Sequence, residues 1–477
     1  MLEGREISVI LKSKLDKIQD RFDSEFYQKK YIEYGNVLKK QGFKTLGDWG
    51  AQLDCSAFYP SITDYYNFEG QGIPFIRVNE IQDGMVQITK STAFLPPFVL
   101  DQNSKTIAKT YPNDIIIAKG GNTLAKVGIV TGEYPEYAVS RDVIILRTHN
   151  IPENVRYYIW AFMHSNFGYE AMIRTASQTG QPHLTLPFVL NLKIPSMSQS
   201  FFSMTKGLYN KATCLRDNAN KLYEETTQLL GQYLSIDFSM LDKQSSTYTA
   251  QTLRHSFLSS GRLDAEYYQH KFDTLFSILE SVDTRRLGNI TYIQKSIEPG
   301  SDLYETEGIP FVRVADITRF GITEPSVYLN PKLFTDVMRP KKNTILLTKD
   351  GSVGIAYKVE RDEKYITSGA ILHLNVKNDS VLPDYLALVI NSKVVQMQAE
   401  RDAGGSIIQH WKPSEISDVI IPIIPMEEQY KISSKVQESF SQRHESKRLL
   451  DIAKQAIEIA ISKNEEMALT FIKEMLT

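Results

Sequence analysis

The sequence has few cysteines and no long apolar segment. Its 477 residues include two cysteines, Cys55 and Cys214, which lie far apart and beside no histidine or cysteine cluster. This pattern indicates neither a disulfide framework nor a zinc site, so we expect two small buried side chains. No apolar run reaches the roughly 18 residues that a membrane-spanning helix needs, and the first residues lack the apolar core of a signal peptide. We therefore expect a cytoplasmic protein with no membrane partner.

The sequence also lacks an excess of charge and the motifs of enzymes that act on DNA. Its 54 basic and 56 acidic residues give a net charge of −2, so any DNA binding depends on local basic surface. There is no GxxxxGK[ST] loop, no HExxH pair and no Asn-Pro-Pro-aromatic methylase tetrad, and Leu95-Pro96-Pro97-Phe98 is its nearest match. We therefore predict no catalytic residue, no metal site and no bound cofactor in this chain.

What the sequence does contain is a repeat of about half its length. Gly72-Ile73-Pro74-Phe75-Ile76-Arg77-Val78 recurs 236 positions later as Gly308-Ile309-Pro310-Phe311-Val312-Arg313-Val314. Four further pairs follow the same order: 21–28 with 262–269, 113–121 with 343–351, 140–146 with 368–374, and 191–195 with 418–422. A duplicated module without a duplicated catalytic motif is typical of a binding protein rather than an enzyme.

The two copies have the pattern of mixed α+β domains. Short β-branched runs at 74–78, 115–118, 126–130 and 143–147, bounded by Gly, Pro and Asn, predict strands. Apolar spacing predicts one helix over 7–34, one over 154–173 and its counterpart over 383–400. The fold class predicted is therefore α+β, with two repeated domains.

Each copy is followed by a long segment with heptad spacing. The first has four leucines seven residues apart: Leu208, Leu215, Leu222 and Leu229. Three residues before each leucine lies a small residue: Thr205, Ala212, Ala219 and Thr226. The second has Leu450, Ile457, Asn464 and Phe471 at the same spacing. This pattern predicts coiled-coil helices with leucine at position d and small residues at position a. An ordinary amphipathic helix packed on its own domain is the alternative.

Two such helices of 35 to 40 residues are each about 55 Å long. The sequence predicts that they pack antiparallel as a spacer between the repeated domains, because either one alone would expose its leucines. Asn464 falls on an a position, where a buried amide fixes register, although a solvated residue fits equally. The predicted parts are a first domain over 1–195, a spacer helix over 196–236, a linker over 237–260, a second domain over 261–422 and a C-terminal spacer helix over 423–477.

Two kinds of loop in each copy are candidates for DNA contacts. The strand-end turns, 119–122 and 349–352, place Lys119, Gly121 and Asn122, and Lys349 and Ser352, where a cation and free amides can accept a phosphate. The late loops, 175–183 and 404–410, offer Gln178, Thr179, Gln181 and His183, and Ser406, Gln409 and His410 for base edges. Lys341 and Lys342 add local charge. A glycine turn with positive φ is the alternative for the first kind, and a solvated loop for the second.

Together these residues resemble the specificity subunit of type I restriction-modification systems. The resemblance covers the whole length, because the ordered motifs and the following long helix occur twice. It implies two target recognition domains that read the halves of a bipartite, asymmetric double-stranded DNA target, separated by two antiparallel helices. It also implies docking of methylation subunits, two in number, and of restriction subunits, with S-adenosylmethionine, ATP and Mg²⁺ bound by those partners.

Two other functions remain open from the sequence. A single-chain restriction or modification enzyme with an unrecognised active site would cut or methylate DNA alone. A coiled-coil adaptor would use its duplicated domains to bind proteins, which the slightly acidic composition favours.

Overall fold

A computed structural model describes residues 7–15, 21–68, 70–89, 91–176, 182–236, 248–323, 325–404 and 409–476. The chain forms two compact units: unit 1 comprises residues 1–215 and 445–477, and unit 2 comprises residues 216–444. Each unit contains one copy of the repeat. Both long helices are divided between the units, whereas the sequence interpretation set them apart as separate spacers.

The first copy is a mixed α+β domain followed by a long helix. Its strands are β1 Phe43–Thr45, β2 Gln52–Asp54, β3 Ile73–Ile76, β4 Ile81–Gln82, β5 Met85–Val86, β6 Ala93–Leu95, β7 Lys109–Thr110, β8 Ile115–Ala118, β9 Val127–Ile129, β10 Tyr137–Val139, β11 Val143–Arg147 and β12 Lys193–Pro195. Its helices are α1 Lys29–Gln41, α2 Pro97–Gln102, α3 Glu153–His164, α4 Asn166–Thr175, α5 Leu186–Leu190 and the long α6 Gln199–Tyr233.

The second copy has a similar order but differs in its short elements. Its strands are β13 Thr284–Arg286, β14 Thr291–Lys295, β15 Tyr304–Glu305, β16 Ile309–Val312, β17 Ile317–Thr318, β18 Gly321–Ile322, β19 Tyr328–Leu329, β20 Ile345–Thr348, β21 Ala356–Lys358, β22 Ile366–Thr367, β23 Ile371–Val376 and β24 Ile420–Pro422. Its helices are α7 His270–Glu280, α8 Leu287–Ile290, α9 Pro383–Asn391, α10 Lys393–Asp402 and α11 Pro413–Asp418, followed by α12 Met426–Ser462 and α13 Glu465–Leu476. The predicted α+β class is confirmed.

The duplication extends from sequence to strand topology. In unit 1 the main sheet has the order β2-β11-β8-β9-β5-β4, and in unit 2 its counterpart has the order β14-β23-β20-β21. The second sheet of each unit contains one parallel pair, β3 with β10 and β16 with β22. All four residues of β8 and of β20 are buried, which accounts for their uninterrupted apolar runs. The registers align the two copies residue by residue.

The repeated phrase that begins with Gly72 and Gly308 forms a strand and the turn after it. Gly72 has φ +108° and Gly308 has φ +130°, and a Cβ at either would lie within 2.4 Å of a carbonyl oxygen of the neighbouring chain segment. Glycine is therefore required there by both conformation and space. The backbone N–H of Arg77 donates to Glu80 at 2.8 Å, and that of Arg313 donates to Asp316 at 2.9 Å. These contacts lie within the fold and explain why the phrase is kept in both copies.

The predicted helix over 7–34 is wrong. In the described part of that segment, residues 12–14 and 24–27 form short 3-10 turns, and the α-helix begins only at Lys29. Asp23 caps the second of these turns, because its side chain accepts the N–H of Phe26.

The two predicted helices after the last strand are each broken once. Ser165 separates α3 from α4, and Ser392 separates α9 from α10. Each serine has an extended backbone, and its hydroxyl donates to a carbonyl three residues earlier at 2.6 Å. A buried serine that bonds to its own backbone ends a helix, although apolar spacing continues across it.

The long helices α6 and α12 pack through small residues. Four small residues of α6 are each at most 1% exposed: Thr205, Ala212, Ala219 and Thr226. In unit 1 the hydroxyl of Ser446 donates to the carbonyl of Ala212 at 2.6 Å, and in unit 2 that of Ser439 donates to the carbonyl of Ala219 at 2.7 Å. Within each unit the two helices are therefore antiparallel and close at the predicted a positions. We call this contact the small-residue seam.

The leucines predicted at d positions lie beside this seam. Leu208 is buried, whereas Leu215, Leu222 and Leu229 are half-buried. Tyr209, Tyr223 and Leu230, each next to a d position, are buried instead. Heptad spacing identified the correct helix face, but the residues at its centre are small.

The C-terminal segment is two helices rather than one. Leu450 and Ile457 are buried on α12, and Phe471 is half-buried on α13, where it packs against the core of unit 1. Asn464 is exposed between the helices, and its side-chain oxygen accepts the N–H of Met467 at 2.9 Å. Of the two alternatives for Asn464, the buried amide is wrong and the solvated residue is correct, and its side chain caps α13.

The structure also tests the expectations about the cysteines and about membrane-spanning helices. Cys55 is half-buried and Cys214 is exposed, so the expectation of two buried thiols is wrong. Among the described residues, no helix combines the length and apolar character needed to cross a membrane.

Candidate nucleic-acid interface

The strand-end turns follow the central strands of the two main sheets. In unit 1, β8 ends before Lys119, and Gly121 adopts φ +70°. In unit 2, β20 ends before Lys349, and Gly351 adopts φ +71°. A positive φ at the equivalent glycine of both copies shows that the tight-turn interpretation is correct for the backbone. Phosphate binding by the same turn stays a prediction.

The structure brings the strand-end turn and the late loop of each copy together. In unit 1, Gly120 pairs with His183, and the N–H of Leu184 donates to the carbonyl of Lys119 at 2.9 Å. A Cβ on Gly120 would lie 2.3 Å from Nδ1 of His183. We call this meeting point the first junction. Two loops about 60 residues apart in sequence thus form one surface, which the sequence did not predict.

The second junction repeats this arrangement in unit 2. Asp350 pairs with His410, the N–H of Gly351 donates to the carbonyl of Gln409 at 2.9 Å, and the N–H of Trp411 donates to the carbonyl of Lys349 at 2.8 Å. Trp411 is buried beneath this contact and His410 is exposed above it. The backbone of the late loop is therefore fixed at its C-terminal end.

An arginine fixes the other end of each late loop. Nη1 of Arg21 donates to the carbonyl of Ala176 at 3.1 Å, and Nη1 of Arg262 donates to the carbonyl of Asp402 at 3.1 Å. Both guanidinium groups also ion-pair with the aspartate two residues later, Asp23 or Asp264. The hydrogen bond from that arginine holds the pKa of each carboxyl below its ordinary value. The repeated Arg-x-Asp phrase is thus a brace for the loop, a role that its recurrence alone did not indicate.

Removing one brace is expected to loosen one loop. Arg21→Ala should speed amide hydrogen exchange at the end of α4, where Ala176 bonds to Ile173, and leave the end of α10 unchanged; Arg262→Ala should do the converse. The loss of a hydrogen bond from a charged donor lowers the local opening free energy by about 1.5–3 kcal/mol. Mass-spectrometric exchange measures both loops in one protein, so the unaltered unit is the control. Equal acceleration in both units would contradict a local brace.

Charge distinguishes the two junctions. In unit 2 the carboxylate of Asp350 ion-pairs with Nζ of Lys349, and its other oxygen lies 2.9 Å from Nδ1 of His410. The side chains of Lys349 and Asp350 are 13% and 21% exposed. In unit 1 glycine stands in place of Asp350, and no described residue forms an ion pair with Lys119. Asp350 was not among the predicted residues, although it lies within the predicted turn 349–352.

The other predicted residues lie away from the junctions or outside the described part of the chain. Lys341 and Lys342 precede β20, so the strand separates them from Lys349, and both contact Asp362. The hydrogen bond from the Lys342 backbone, and then that from Lys341, lowers the pKa of Asp362. Ser352 is exposed, and its carbonyl accepts from Thr348. Gln178, Thr179, Gln181 and Ser406, and the side chain of Asn122, lie outside the described residues.

Comparison with known proteins identifies the second copy. A family model described as the type I restriction modification DNA specificity domain matches residues 280–452. Residues 280–452 therefore form a DNA specificity domain of the type I restriction-modification kind. Members of this family are non-catalytic specificity subunits, which agrees with the expectation that the chain is not itself an enzyme. The matched residues include the whole second junction, so Asp350 and His410 are part of a DNA specificity domain.

Solved structures of specificity subunits also align over most of the chain. The S subunit from M. genitalium is 12% identical over 91% of this chain and 95% of its own, with a TM-score of 0.29. The HsdS subunit from Thermoanaerobacter tengcongensis is 14% identical over 89% and 96%, with a TM-score of 0.26. A search of curated protein sequences gives no match.

Proposed function

We propose that this chain is the DNA-specificity subunit of a type I restriction-modification complex and that each unit reads one half of a bipartite target. The observation that carries the proposal is the junction built twice: two equivalent strand-end turns meet two late loops that differ in sequence. A shared scaffold with unlike loops suits two unlike half-sites, because phosphate contacts position a protein and side chains at base edges specify the sequence.

The same proposal assigns chemistry to partner subunits. Methylation subunits, two in number, would bind S-adenosylmethionine, and restriction subunits would use ATP and Mg²⁺. The outer faces of α6 and α12 are the proposed docking surface for the methylation subunits. Exposed residues recur along both helices outside the small-residue seam, and Tyr430 on α12 is 61% exposed.

Selection from random DNA tests this function. The chain, purified with its methylation subunit, is expected to enrich a sequence with two short defined parts and an undefined stretch between them. Exchange of residues 178–183 for another late-loop sequence should change one defined part and preserve the other. Enrichment of no sequence would refute the proposal, and cleavage or methylation by the chain alone would favour the single-chain enzyme.

A further inference from the structure

We infer that Asp350 makes the two junctions unequal partners for DNA, so that the first junction contacts a phosphate through Lys119 and the second does not do so through Lys349. This inference rests on the proposed function and concerns how each unit contacts the DNA backbone. It assigns to Asp350 the role of a positioning residue that holds the side chains of Lys349 and His410.

The geometry of the second junction carries the argument. The ammonium of Lys349 and the imidazole of His410 both face the carboxylate of Asp350, one at each oxygen. Because Lys349 is 13% exposed, its ion pair is shielded from water and salt. A phosphate that approached Lys349 would have to displace a carboxylate already in place and would be repelled by it. The pair therefore presents little net positive charge to DNA.

The first junction has the same backbone without the carboxylate. Gly120 occupies the position of Asp350, and no ion-pair partner of Lys119 lies among the residues that the structure describes. Lys119 directly follows β8 at a glycine turn and is half-buried. Asp142 lies beside Lys119, because its carbonyl accepts the N–H of Lys119 at 2.8 Å, but its carboxylate forms no ion pair with the amine. An amine without an ion-pair partner among the described residues, at a turn whose Gly121 is exposed, is suited to a single phosphate oxygen.

The inference predicts different salt dependences for three variants of the complex. Each protein–phosphate contact contributes about −0.9 to the slope of log K against log salt. Lys119→Gln should make the slope shallower by about one, which reduces the affinity lost between 50 and 200 mM salt by about threefold to fourfold. Asp350→Asn should make the slope steeper by about one, because it releases Lys349 for a phosphate. The double variant Lys349→Gln with Asp350→Asn should match the unaltered chain.

The design separates this inference from the function on which it rests. Binding is measured by fluorescence anisotropy on the selected target and on a scrambled duplex, from 50 to 200 mM salt. Hydrogen exchange at Trp411, whose N–H bonds to Lys349, checks that each variant keeps the junction. Aspartate at position 120 is not a useful reverse variant, because its Cβ would meet His183.

Each outcome decides one of the two claims. If the unaltered complex has no preferred sequence, both the function and the inference fail. If it is selective but the double variant has a shallower slope, as Lys119→Gln does, Lys349 contacts a phosphate and the inference alone fails. An unchanged slope in Asp350→Asn would overturn it as well, whereas the three expected slopes together support it.

Discussion

Acidification from pH 6.5 to pH 4 is expected to cost unit 2 about 3 kcal/mol of stability through one residue, His373. His373 on β23 is 1% exposed, and burial lowers its pKa from 6.5 to about 4. The unfolded chain therefore takes up the proton first as the pH falls. The stabilising contribution is complete above pH 6.5 and is lost progressively down to pH 4, at about 1.4 kcal/mol per pKa unit.

The first copy supplies a matched control for this prediction. The strand registers place Ile145 at the position of His373, and Val139 at that of Thr367, whose hydroxyl lies 2.8 Å from Nε2 of His373. The double variant His373→Ile with Thr367→Val therefore installs an apolar pair that the same fold accommodates elsewhere. Urea unfolding between pH 4 and pH 7 should show a shallower loss of stability than the unaltered chain shows. If stability depended on pH in the same way in the double variant and the unaltered chain, the pKa of His373 would not change on unfolding.

Enlarging the small-residue seam is expected to damage the long helices more than adding a leucine outside it. Ala219 is 0% exposed and its carbonyl accepts from the hydroxyl of Ser439, so Ala219→Leu inserts a larger side chain where there is no free space. Overpacking of this kind costs about 1–3 kcal/mol. Ala212→Leu tests the equivalent contact with Ser446 in unit 1. Faster hydrogen exchange in the affected halves of α6 and α12, with a lower unfolding midpoint, is the expected result.

The control for the seam places the same side chain on the same helix. Glu224 is exposed on α6, so Glu224→Leu should change stability by less than about 0.5 kcal/mol. An equal loss of stability from Glu224→Leu and Ala219→Leu would show that the seam is not closely packed. A loss of stability in Leu222→Ala but not in Ala219→Leu would show that the half-buried leucines are the principal contact between α6 and α12.

The strands and the duplication could be read from the sequence because both leave local signals. Runs such as Ile115–Ala118 are apolar throughout since both faces of β8 are buried, and the glycines of the repeated phrase meet a steric demand that occurs in each copy. The helix breaks left weaker signals. Ser165 and Ser392 interrupt helices whose apolar spacing continues, so periodicity alone joined each pair into one.

The sequence by itself determined the α+β class, the two copies and the absence of recognised catalytic motifs, because composition, spacing and repetition are properties of the chain. Only the tertiary structure decided which residues of a heptad face the partner helix, since that depends on where Ser439 and Ser446 find their acceptors. It also decided that distant loops meet at two junctions and that Asp350 contacts both Lys349 and His410 at one of them. Such contacts join residues far apart in sequence, and no local pattern records them.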